Sequence, residues 1–133
     1  MADLDRALML DPQLGEAWNN RGLIRLVAGD TDAALADFEH AIELDPRNVE
    51  ARLNRGNVWR DKGQLEQAIV DFDKAIELEP GLAIAYASRG LVKLSQGKSV
   101  EAEQDFTQSL KLNASLKPFI DEGIRTVIRR PHQ

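Results

Sequence analysis

The sequence repeats itself every 34 residues, and this period constrains the fold more than any other feature of the chain. An aspartate-phenylalanine dipeptide follows 16 residues after each copy of an arginine-glycine dipeptide. So many matching columns at one spacing do not arise by chance. The arginine-glycine dipeptide itself stands at 21–22, 55–56 and 89–90.

Each 34-residue unit is predicted to be a pair of helices joined by a short turn. A glycine recurs in the middle of each unit, where it supplies the left-handed cap that ends a helix, and Pro46 and Pro80 close the first two units. We number the unit positions 1 to 34 and name the helices A and B. The pattern predicts helices A over 16–28, 50–62 and 84–96, and helices B over 32–44, 66–78 and 100–112.

The whole chain, 1–133, is predicted to be one domain built on these units. The first residues align with the second half of a unit, while the last form an amphipathic helix that should cover the end of the array. Its apolar stripe is Leu116, Phe119, Ile120, Ile124, Val127 and Ile128. The segments are a half-repeat at 1–14, repeats at 15–48, 49–82 and 83–116, and a capping helix with a tail at 117–133.

Composition and charge exclude several classes of function. The chain has no cysteine, so it has no disulfide and no thiolate nucleophile, and its net charge of -5 argues against nucleic-acid binding. No run approaches the ~18 apolar residues of a membrane-spanning helix, and the acidic start does not resemble a secretory leader. We therefore expect a cytoplasmic protein with no membrane partner.

No motif for catalysis, for a metal or for a cofactor is present in the sequence. The two histidines, His40 and His132, stand in no pattern that places a second ligand or a nucleophile beside them. The many acidic residues lie along helices B, as on a solvated helix face. We expect no catalytic residues, no metal and no cofactor, and therefore no enzyme.

The columns of small and aromatic residues resemble those of the tetratricopeptide repeat family. The resemblance covers essentially the whole chain, although Arg52 stands where the first aromatic belongs, with Trp59 supplying one later, and Ala114 replaces the closing proline. It implies an all-helical, right-handed superhelical solenoid of antiparallel hairpins that acts as a protein-interaction scaffold. In the first unit the matching residues are Trp18, Gly22, Ala34, Phe38, Ala41 and Pro46.

An arginine at position 7 of every unit allows two interpretations. Arg21, Arg55 and Arg89 could form a basic surface for nucleic acid, or each could form an ion pair with the aspartate at position 23 of a unit. We favour the ion pairs because both columns are complete. The sequence leaves open which neighbouring unit supplies each aspartate.

The face of helices A that points away from helices B is the predicted binding groove. Positions 2, 6, 9 and 13 share this face, and the family resemblance implies that ligands lie along it. Side-chain amides there can donate to a peptide carbonyl and accept from its N–H, although asparagine is also an ordinary solvent-facing residue. The predicted partner-binding residues are Asn20, Leu23, Asn54, Asn57, Arg60, Ser88 and Leu91.

The expected partner is a neutral or mildly basic, partly apolar protein segment. Some relatives hold chaperone C-terminal carboxylates with lysine, asparagine and arginine, and we expect no such partner here because the basic residues are missing. The matching positions hold Asn19, Leu23, Asn54, Ile84 and Ser88.

The alternative is a structural segment of a longer repeat protein that self-associates through its ends. In the half-repeat, Leu4 and Ala7 would normally face a helix A that precedes them. We therefore expect apolar surface there, through which the chain could form a homo-oligomer.

Overall fold

The structure, a computed structural model, describes residues 2–10 and 14–129, so the predictions for His132 and for the tail at 130–133 lie outside it. The described residues form α-helices joined by short turns, with a 3-10 turn at Ala114–Leu116 before the last helix. The helices are α1 (Ala2–Leu10), α2 (Gly15–Val27), α3 (Thr31–Leu44), α4 (Val49–Asp61), α5 (Leu65–Leu78), α6 (Ala83–Ser95), α7 (Ser99–Leu112) and α8 (Lys117–Arg129).

The predicted solenoid of antiparallel hairpins is confirmed. Helices α2, α4 and α6 are the helices A and α3, α5 and α7 the helices B, and every observed boundary lies within one residue of its prediction. Each A helix packs most extensively on the B helix of its own unit, and α4 and α6 also pack on the preceding B helix.

The turn inside each unit is a glycine cap, as the sequence predicts. Gly29 has a φ of 87°, in the left-handed region that favours glycine. Its N–H donates to Leu26 O at 3.0 Å, and the N–H of Asp30 donates to Arg25 O at 2.9 Å. These two bonds satisfy carbonyls at the end of α2 in the Schellman arrangement. The turns at Gly63 and Gly97 repeat it.

A glycine at position 8 sets the distance between helices A and B. A Cβ atom added at Gly56 would lie 2.7 Å from Cε1 of Phe72, closer than two carbon atoms can approach. The contact recurs in the other units, between Gly22 and Phe38 and between Gly90 and Phe106. The glycine therefore leaves the space that the phenylalanine ring fills, which explains its presence inside a helix.

The units are joined to one another by valines at position 10. Val58 packs on Ala34 and Phe38 of the preceding unit, and Val92 packs on Ala68 and Phe72 in the same way. Both valines are fully buried. Small apolar clusters therefore hold neighbouring units together, with a second one at the first junction, where Ala51 packs on Ala41 and Ile42.

Helix α8 departs from this pattern. It packs mainly on α6 and not on α7, the helix B that a further helix A would cover. Ile120 of its predicted apolar stripe is buried, and Leu116, Ile124 and Val127 are half-buried. Phe119 and Ile128 are exposed, so the stripe is only partly covered.

We expect leucine at Gly56 to lower the free energy of unfolding by roughly 1 to 3 kcal/mol, because Phe72 is fully buried and has no room to move aside. Thermal unfolding followed by circular dichroism measures this effect. Gly81→Leu is the matched control, since a Cβ atom at Gly81 meets nothing within 4 Å. It should change stability by less than about 0.5 kcal/mol. Equal melting temperatures for the two variants would contradict the packing argument.

Candidate partner-binding face

The position-7 arginines pair with the aspartates of their own units, which settles the choice that the sequence left open. Each guanidinium donates from both Nε and Nη2 to one carboxylate, and Asp37 and Asp71 are only 1% exposed. Such bidentate pairs are the strongest side-chain hydrogen bonds available to arginine. The distances are 3.0 and 2.9 Å for Arg21–Asp37, 2.8 and 2.7 Å for Arg55–Asp71, and 2.9 and 2.7 Å for Arg89–Asp105.

Two of these arginines also contact the preceding helix B. Arg21 Nη1 donates to Asp5 at 3.3 Å, and Arg89 Nη1 donates to Asp73 at 2.9 Å. Asp5 and Asp73 both occupy position 25. The arginine column thus connects units as well as helices.

The carboxylates stabilise the charged form of the arginines. Hydrogen bonds to Asp71 raise the pKa of Arg55 above its ordinary value, and Asp105 does the same to the pKa of Arg89. A raised pKa means that the stabilisation is complete below the ordinary arginine pKa and is lost only at still higher pH. The arginines therefore give these pairs no pH dependence near neutrality.

Every buried aspartate has a second cation, and this explains the departure of the second unit from the family pattern. In the first and third units the cation stands at position 11 and the aromatic residue at position 4, whereas Arg52 and Trp59 exchange these places. Positions 4 and 11 lie two turns apart on one helix face, so either can reach the aspartate. The second contacts are Arg25–Asp37 at 3.1 Å, Arg52–Asp71 at 3.8 Å and Lys93–Asp105 at 3.3 Å.

We expect Asp71→Ala to lower the free energy of unfolding by about 3 kcal/mol, because it strips two arginines of their buried carboxylate. The value is at the low end for a broken buried pair since both arginines reach solvent. Asp73→Ala removes a half-exposed partner of Arg89 and should cost less than about 1 kcal/mol. Urea unfolding of both variants measures the difference, and equal losses would show that burial of the pair is unimportant.

The groove face is open in the first two units. Leu23 is 38% exposed, and Asn20, Asn54 and Asn57 are half-buried. The amide of Asn54 donates to Asn19 Oδ1 at 3.0 Å, so it links α4 to α2. One of its hydrogen-bond donors is therefore already used. Within the described chain, Asn20 makes no side-chain hydrogen bond, whereas Asn57 Oδ1 has no donor but is buried and out of reach of a ligand. Hydrogen-bonding capacity therefore remains on this part of the face.

The groove face is closed in the third unit. Ser88 is 1% exposed and Leu91 4% exposed, although they occupy the same positions as Asn54 and Asn57 one repeat earlier. The Leu91 side chain lies against Gly123 of α8. Both residues are therefore buried, Leu91 against α8, which the sequence prediction did not foresee.

Acidic side chains dominate the exposed charge of the open part. Glu16, Glu50 and Asp61 are exposed, and Arg60 is half-buried with its Nε 3.8 Å from Asp61. Outside the groove, His40 is exposed and its ring centroid lies 4.5 Å from that of Trp18. This stacking gives His40 a structural contact.

Two family models place the chain among known proteins. One is described as tetratricopeptide repeat and matches residues 1–55, and the other is described as TPR repeat and matches residues 56–97. The chain belongs to the tetratricopeptide repeat (TPR) family, as its repeated columns predict. Comparison with the sequences of curated proteins gave no match.

Solved structures of similar fold include two TPR proteins, which share the same sequence identity with this chain. The crystal structure of MamA is 28% identical with a TM-score of 0.78, over 84% of this chain and 66% of MamA. The second TPR of Spaghetti (RPAP3), bound to the HSP90 peptide SRMEEVD, is 28% identical with a TM-score of 0.72, over 74% of this chain and 92% of that domain. This chain thus spans just under two thirds of the MamA chains, covering 66% and 63% of them.

The structure also bears on membrane and metal sites within residues 2–10 and 14–129. No helix there is long and apolar enough to cross a bilayer. Nor does that part of the chain bring three or more metal-binding side chains together. Proteins of the TPR family are typically interaction scaffolds, so the open groove face is the candidate site.

Proposed function

We propose that the open part of the groove face binds an extended or helical segment of a partner protein. The observation that carries this proposal is the opening of the face at positions 6 and 9 of the first unit, where Leu23 is exposed and the Asn20 amide makes no side-chain hydrogen bond. The face is closed in the third unit, where α8 covers Leu91. Asn20, Leu23, Asn54, Asn57 and Arg60 form the proposed contact surface.

Leucine and amide groups would contribute to ligand binding in different ways. Leu23 offers apolar area to a ligand side chain, and its burial would contribute favourable free energy. Asn20 can bond a ligand backbone in almost any sequence, because every residue carries a carbonyl and nearly all carry an N–H. The combination suits a partly apolar segment held mainly through its main chain.

Charge determines which segments are preferred. Arg21 and Arg55 would attract acidic ligands if they were available, but Asp37 and Asp71 hold both of them. The remaining exposed charge on the face is mainly acidic. A neutral or mildly basic segment should therefore bind better than an acidic one.

The Spaghetti domains make the chaperone question testable, since their structures hold the acidic peptide SRMEEVD. The first of these domains is 22% identical and supports only the shared fold. Here Asn19 is buried and bonded to Asn54, and Leu23 supplies no charge. We propose that this chain discriminates against such peptides.

The test is a selection of displayed random peptides on the full chain, followed by chemical-shift mapping of the best binder. We expect neutral or basic, partly apolar peptides, with shifts at Asn20, Leu23 and Asn57. Leu23→Asp should weaken binding by about tenfold or more, because it places a charge in the apolar contact. Val100→Asp, at an exposed position on α7, is the control and should leave the affinity unchanged.

The other outcomes separate the alternatives. Tight binding of SRMEEVD to the same residues would overturn the proposed discrimination. Shifts confined to helices B would show that the chosen face is wrong.

Self-association is the second candidate function, favoured by the exposure of Met9 at 83% and Leu10 at 79%. Leu4 and Ala7, where the sequence predicts apolar surface, are half-buried, and α1 packs on α2. Shifts at Met9 and Leu10 that grow with the concentration of the chain alone would support this alternative.

A further inference from the structure

The course of α8 raises a question that the repeat pattern does not answer. Both α4 and α6 lie mainly on the helices B next to them, and a fourth helix A would lie on α7 in the same way. Helix α8 instead packs on α6, a helix A. As a result, Phe106 of α7 is half-buried, whereas the equivalent Phe38 and Phe72 are fully buried.

The contact of α8 lies on the groove face itself. Gly123 meets Leu91, and Ile120, one turn earlier on α8, is 3% exposed. Leu91 is 4% exposed, whereas Leu23, at the same position of the first unit, is 38% exposed. Helix α8 thus covers the groove face in the third unit in the place of a ligand.

The fit depends on the absence of a side chain at Gly123. A Cβ atom there would lie 2.5 Å from Cδ1 and 2.7 Å from Cδ2 of Leu91. Glycine is a poor helix former, so its place inside α8 needs a reason, and this close approach supplies one. The Leu91 side chain fills the space that the missing side chain of Gly123 leaves.

Helix α8 is anchored by few residues. Ile120 is its one buried residue among those described, and Phe119 and Ile128 keep 40% and 73% of their surface exposed. The rest of the contact is made by half-buried side chains. A helix held in this way can be exchanged for another helix of the same kind.

We propose that Ser88 and Leu91 form a helix-binding site that α8 fills in cis, and that a partner helix with a small residue at the place of Gly123 replaces it. This inference rests on the proposed function, because it names the partner and the regulation of the third unit of the same face. While α8 is in place, a ligand reaches only the first two units. Displacement of α8 extends the open face by one unit.

The probe is the peptide KPFIDEGIRTVIR, which is residues 117–129, added to the full chain. Gly123→Leu in the chain should expel α8 and raise the affinity for the peptide by about tenfold or more, since the site is then vacant. Adding Leu91→Ala to Gly123→Leu makes room for the new side chain, so α8 should return and the affinity should fall to the wild-type value. A peptide with leucine in place of its glycine should not bind Gly123→Leu.

Equal affinities for the three chains would overturn the proposal, as would full protection of the α8 amides from hydrogen exchange in Gly123→Leu. If that variant fails to fold, the wild-type framework still provides a test, because the chain has no cysteine. Nitroxide labels at Asp61→Cys and Thr126→Cys, both at exposed positions, report the place of α8. Excess peptide should change the distance between the labels, and no change would refute exchange.

This experiment is independent of the partner selection described above. It uses no partner and reads the site at Leu91, whereas the proposed function is tested at Leu23. If the peptide exchanges with α8 but the selection yields no ligand, the helix site at Leu91 is supported and the proposed binding in the first two units is refuted. If the selection yields ligands but the peptide does not exchange, the proposed binding is supported and the helix site is refuted.

Discussion

Each hairpin depends on one contact, in which the arginine-glycine dipeptide of helix A meets the aspartate-phenylalanine dipeptide of helix B. In the second unit, Gly56 admits the ring of Phe72, and the backbones approach closely enough for Arg55 to bond Asp71 in bidentate fashion. The apolar and ionic parts lie side by side in the sequence, and Arg55 satisfies the buried carboxylate of Asp71. A buried carboxylate without such a partner would be costly.

This contact also determines what the outer surface offers. The arginines that could have made the groove face basic are held by buried aspartates, and the second cation at each aspartate is held as well. The exchange of Arg52 and Trp59 between two positions of α4 keeps that arrangement while changing the residue order. What remains on the open face is amide, leucine and mainly acidic side chains with Arg60, which is why we propose a neutral or mildly basic partner.

Much of the fold could be predicted from the sequence, because the period, the glycine caps and the closing prolines are local features. The choice of aspartate could not, since every unit carries an aspartate at position 23 and only the structure shows that each arginine pairs within its own unit. Reading positions 4 and 11 together would have revealed the second cation, as Arg52 and Trp59 are the only pair in reversed order. The amphipathic stripe of α8 shows that the helix covers something, but not that it covers Leu91. That depends on the link before it, where Ala114 replaces proline and a 3-10 turn leads directly into α8.

One face of helices A is open in the first two units and closed by α8 in the third. Leu23 and Leu91 occupy the same position of their repeats, so their methyl groups test it directly. Relaxation of leucine methyl signals by a soluble gadolinium chelate measures exposure at each site in solution. We predict strong broadening of the Leu23 methyl signals and protection of those of Leu91. Equal broadening of the two would contradict the closure of the third unit by α8.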